Sequence, residues 1–147
     1  MRPVGRTMVV TLGNSLRSDD GVGPFIASKT AFTGPNRKIL NGETVPENTV
    51  KEIVGWRPAK LILIDAADFG GAPGDLKIIP LENIRKYAAL STHDFPLDVT
   101  YSVVREKTGC KITVLGVQIK TAEFGEVLSE EVEKSALKII EYFNAVE

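Results

Sequence analysis

Asp20, Asp65 and His93 are the side chains of this sequence whose types and settings could together do chemistry. Asp20 is the second acid of "LGNSLRSDDGVG" (Leu12 to Gly23), Asp65 ends the apolar run "KLILID", and His93 is the only histidine, inside "STHDFP". Two carboxylates and one imidazole form a mixed oxygen and nitrogen donor set. Such a set suits zinc, nickel, manganese or iron and leaves positions open for water or substrate. Each residue also has an ordinary role. An acid at a helix start caps free N–H groups, an Asp at a strand end caps a neighbouring turn, and a loop histidine is commonly polar surface. Of the adjacent pair, Asp19 is the less favoured ligand, because neighbouring residues at a helix start point in different directions and one of the two is well placed to accept the first free N–H groups. Asp68 and Asp94 sit in turns, where Asp is expected anyway.

What positions these residues is an alternation of strands and helices. "TMVVTLGN" (Thr7 to Asn14) is a short β-branched run, a buried first strand. After the acidic turn, Val22, Phe25 and Ile26 fall at helical spacing up to Gly34-Pro35. "RKILNGE" is a second strand, and "PENTVKEIVGWRP" a helix opened by Pro46. "KLILIDAAD" is the clearest central strand, and "GDLKIIPL" an edge strand closed by Pro80. A helix is expected over 82–90 and another from Leu97 to Lys107. "KITVLGVQI" is the last strand, followed by an amphipathic helix capped by Ser129, with Val132, Leu137, Ile140 and Phe143 inward. The pattern predicts an α/β three-layer sandwich, a mostly parallel five-stranded sheet with helices on both faces, in one domain over 1–147. In such sheets ligands bind beyond the carboxyl ends of the strands, and Asp20 and Asp65 both belong at that edge. The "STHDFP" loop can bring His93 over it, onto a surface cleft. Gly42 and Glu43, ending the second strand, are the substrate-binding candidates, because a glycine there admits a close-lying backbone.

Composition narrows the partners. The 147 residues are 43% hydrophobic and 25% charged, with a mean hydropathy of +0.01, the make-up of a soluble globular domain. Eighteen basic residues balance nineteen acidic ones, so no net field recruits nucleic acid or anionic lipid. A single cysteine, Cys110, allows no internal disulfide and fits a reduced, cytoplasmic setting; at the head of an apolar run it is a buried strand residue rather than a nucleophile. No signal peptide or 18-residue apolar span is seen, so neither secretion nor membrane insertion is expected.

The sequence resembles the hydrogenase maturation endopeptidases, which trim the C-terminus of the large subunit of nickel-iron hydrogenases. The resemblance spans nearly the whole chain and rests on "GNSLRSDDGVGP", "NGETVPEN", "LILIDAADFGGAPGDLKII", "STHDFPL", and "LGVQI" with "FGEVLSEEV". "VPEN" and "STHDFPL" are most similar to the branch serving hydrogenase 3 and other formate-linked or energy-converting enzymes. It implies a five-stranded sheet between helices, and a site of Asp20, Asp65 and His93 that recognises nickel already installed in the substrate. The implied partner is the large-subunit precursor, met by a monomer. One departure is Ile119, where relatives commonly carry proline after the last strand. Two other readings compete. A resident-metal zinc peptidase, or another hydrolase of this fold, would need a ligand set such as His-Glu-x-x-His, which is absent. A nucleotide-binding module would need a glycine-rich phosphate loop, and two acids at the first turn would repel phosphate.

Overall fold

The computed structural model describes residues 5–86 and 97–145. Five strands form one sheet: β1 (Thr7–Leu12), β2 (Arg37–Glu43), β3 (Lys60–Ala67), β4 (Leu76–Ile79) and β5 (Lys111–Gln118), in the order β2-β1-β3-β5-β4. The first four in that order run parallel, and β4 closes the edge antiparallel to β5. β1, β3 and β5 are neighbours because their unbroken apolar runs can be buried on both faces only in the middle of a sheet.

Helices α1 (Val22–Lys29) and α4 (Glu130–Ala145) cover one face, and α2 (Val50–Trp56) and α3 (Leu97–Thr108) the other. Strand alternation sorts the side chains between them. Val9, Ile64 and Val117 pack under α1 and α4, whereas Val10, Leu63 and Val114 pack under α2 and α3. The result is the three-layer α/β sandwich that the pattern predicts.

Several local expectations are corrected. On α4 the inward stripe is Val132, Ala136, Ile139, Ile140 and Phe143, and Leu137 is half exposed, because it falls one residue off that stripe. The helix expected from Pro46 begins as a 3-10 turn, Pro46–Thr49, before α2. Over its described part, the helix expected at 82–90 is also a 3-10 turn, Leu81–Lys86, which opens with the Asn83 N–H bonded to the Pro80 carbonyl. Ser129 takes the cap position by backbone, its carbonyl accepting the Glu133 N–H, but its hydroxyl bonds elsewhere.

Candidate active site at the carboxyl edge

The turn after β1 is built so that it can fold back over the strand's end. Gly13 has φ +138°, and a Cβ there would collide with the Asp20 carbonyl oxygen. The chain then forms a 3-10 turn, Ser18–Gly21, that lies against β3 and carries both acids. Neither acid caps α1, contrary to the sequence expectation. Asp19, fully buried, accepts from the Lys120 N–H (2.8 Å), the Thr121 N–H (3.1 Å), the Ser129 N–H (2.7 Å) and the Ser129 hydroxyl (2.9 Å). Its carboxylate is a tie between the first turn and the loop after β5. Asp20 Oδ2 accepts the Asn14 N–H at 3.0 Å. Backbone N–H groups that could have cradled a phosphate are thus taken by the chain's own carboxylates.

Asp65 lies at the far end of β3, one residue beyond its last pairing with β1 and opposite Gly116 of β5. By alternation it shares the face of Leu63 and Ala67, under α2 and α3. Asp20 therefore lies in the turn that folds back over Gly13 at the carboxyl end of β1, and Asp65 lies on the adjacent parallel strand β3 near its carboxyl end. Both are buried, with 4% and 2% exposure, so they lie beneath the surface rather than on an open cleft. A turn packed on a neighbouring strand covers its own side chains, which sequence spacing does not reveal. His93 lies outside the described residues, as do Asp94 and the rest of the "STHDFP" loop. Among the described residues, no three His, Cys, Asp or Glu side chains are grouped to hold a metal ion. Two hard carboxylates are an incomplete donor set for a metal, which would need further ligands from elsewhere.

The wall facing Asp65 was not found from sequence. Tyr101 of α3, fully buried, meets Thr49 Oγ1 at 2.9 Å, and the Thr49 hydroxyl in turn bonds the Pro46 carbonyl at 2.6 Å. Since Thr49 spends its one hydrogen on Pro46, Tyr101 is the donor to Thr49. Burial pushes the Tyr101 phenol well above its ordinary value, and the negative charges of Asp65 and Glu47 add to the rise. Glu47, in the same "VPEN" turn, has Oε1 buried without a hydrogen-bond partner. The signal in the sequence was the Pro46 turn itself, set after β2 at the same edge.

The other candidates have structural explanations. A Cβ on Gly42 would meet Leu12 Cδ2 at 2.8 Å and Thr49 Cγ2 at 3.0 Å, so the chain's own packing accounts for this glycine. Glu43 is exposed and left-handed (φ 50°), at a register shift between β1 and β2. Asp68 Oδ1 accepts from the Gly70 N–H and from Gln118 Nε2, a turn acid as expected. Cys110 is buried and free, just before β5 at the opposite, amino end of the strand.

Comparison with known proteins settles the family. The model of the HycI type of hydrogenase maturation protease matches residues 26–145. The chain belongs to the hydrogenase maturation protease family. Membership makes it an endopeptidase. The hydrogenase 3 maturation protease of Escherichia coli K12 is 34% identical over 112 residues, 76% of this chain and 71% of that one. The crystal structure of a [NiFe] hydrogenase maturation protease HycI from Thermococcus kodakarensis superposes with TM-score 0.83 at 28% identity, covering 95% of this chain and 90% of that one. The solution structure of the endopeptidase HycI from Escherichia coli matches with TM-score 0.83 at 28% identity, over 95% and 89%. These solved maturation proteases thus share the fold of this chain.

Proposed function

We propose that this protease removes the C-terminal extension of a nickel-iron hydrogenase large-subunit precursor after nickel insertion, and that Asp20, Asp65 and His93 contact the nickel of that substrate. The observation that carries the reading is two buried carboxylates, Asp65 near the carboxyl end of β3 and Asp20 in the turn that follows the adjacent β1, in a chain of this family. An open set of two hard oxygens is completed by ligands of the substrate itself, so an unfinished precursor offers too few partners and escapes cleavage. In the reaction, water oxygen adds to the scissile carbonyl carbon, and a carboxylate at the site accepts the water proton as general base. That proton then passes to the leaving nitrogen as the C–N bond breaks. Gly42 and Glu43 border the peptide, and the protein works as a cytoplasmic monomer. No helix among the described residues is long and apolar enough to cross a membrane.

The test is cleavage of nickel-loaded precursor by Asp20→Asn, Asp65→Asn and His93→Ala variants. Each is expected to slow cleavage by at least about a hundredfold, the scale of losing a general base or a substrate-positioning group. Asn at position 20 keeps an acceptor for the Asn14 N–H, so the melting temperature is expected to hold. Cleavage at the parental rate by these variants would overturn the proposal.

A further inference from the structure

Two of the most exposed apolar side chains of the described structure lie on one loop beside the candidate site. Phe124 is 87% exposed and Val127 79%, and Leu16, on the facing turn, is 47% exposed. Exposed apolar groups gathered on one edge mark contact surfaces more often than scattered single ones do.

The backbone that presents them is held with unusual thoroughness. The Ser18 N–H bonds the Gly125 carbonyl at 2.7 Å, and the Gly125 N–H returns to the Leu16 carbonyl at 2.9 Å. The Ser18 hydroxyl bonds the Glu123 carbonyl at 2.8 Å, and Arg17 Nε bonds the Ala122 carbonyl at 3.3 Å. Asp19 grips both ends of the loop, at Lys120 and Thr121 and again at Ser129. This network buries neither Phe124 nor Val127. Its effect is to fix two apolar side chains in water, which lowers the ordering cost when something docks on them. The neighbouring charges favour one kind of partner. Lys120 is paired with Glu131 and Lys134 with Glu130, which leaves exposed Glu123 and Glu126 against Arg17 and makes the face net acidic.

We propose that the loop of residues 120–129 is a preformed docking face for an apolar segment of the substrate that carries a basic residue, with Phe124 and Val127 as its anchors. The assignment rests on the proposed function. Asp20 follows Asp19 in the turn to which the loop is hydrogen-bonded, which places this face next to the turn that carries one of the two candidate carboxylates. Docking here selects the substrate, and the carboxylates act on it.

The test measures binding of the nickel-loaded precursor to the Asp20→Asn protein, expected to cleave it at least about a hundredfold more slowly than the parent, with and without Phe124→Ala and Val127→Ala. In the cleaving parent background, the same pair is assayed for single-turnover rate at saturating precursor. The pair is expected to weaken binding about tenfold, the scale of losing an aromatic anchor. The saturated rate and the melting temperature should stay at parental values. Reversal of the rim by Glu123→Lys and Glu126→Lys should weaken binding more at low than at high salt. Unchanged affinity in the alanine pair, with a parent that binds and cleaves, would overturn the docking face and leave the proposed function standing. Self-association of the parent that the pair abolishes, with precursor binding intact, would give the face to a second copy and overturn it as well. A parent that neither binds nor cleaves the precursor would overturn both.

Discussion

Adjacent acids with separate tasks are the residue-scale lesson. Asp19 is consumed by four hydrogen bonds that join the first turn to the loop after β5, whereas Asp20 sits over the end of β1 beside the candidate site. Asp19→Ala would strand several buried donors, and it is expected to cost about 3 kcal/mol of unfolding free energy in a denaturant titration. A loss below about 0.5 kcal/mol, the range of an ordinary surface substitution, would show that the tie is dispensable. Cys110 makes the opposite prediction. It is buried at the amino end of β5, across the sheet from the candidate site, so Cys110→Ala should leave cleavage at the parental rate. Loss of activity in a folded variant would contradict the placement.

Among the elements, the buried line from Tyr101 through Thr49 to the Pro46 carbonyl fastens α3 to the turn after β2. A phenol whose folded value is raised contributes stability that is complete below its ordinary value of 10.0 and lost as pH climbs toward the folded one. Unfolding free energy should therefore fall above pH 10 in the parent, and Tyr101→Phe should flatten that part of the fall. Equal slopes in the two proteins would exclude the tyrosine as its source. This tie was invisible in the sequence, because a Thr and a Tyr 52 positions apart carry no signal of contact. The strands were legible, since runs such as Leu61 to Ile64 can be satisfied only in a sheet covered on both faces. Helix details were less so. A short 3-10 turn and an α-helix share their first signals, and the stripe of α4 differs from an alternative containing Leu137 by a small rotation. Ile119 shows how one residue alters an element's end: its N–H bonds the Ala67 carbonyl at 3.1 Å, carrying the β3 and β5 pairing a step farther than proline would allow.

For the molecule as a whole, four parallel strands bring the loops after β1, β2, β3 and β5 to one edge, the edge at which ligands bind in sheets of this kind. Asp20 and Asp65 were legible as edge residues from the ends of the strands that precede or carry them, but their burial was not, because the packing of the first turn on β3 is a tertiary contact. In the proposed function the site is completed by the nickel of the substrate, so that metal insertion licenses cleavage. The direct measurement is mass spectrometry of the precursor after incubation with the parent protein, comparing nickel-loaded with nickel-free large subunit under otherwise identical conditions. Removal of the C-terminal extension is expected from the loaded form alone, and equal cleavage of both forms would show that nickel does not license the cut.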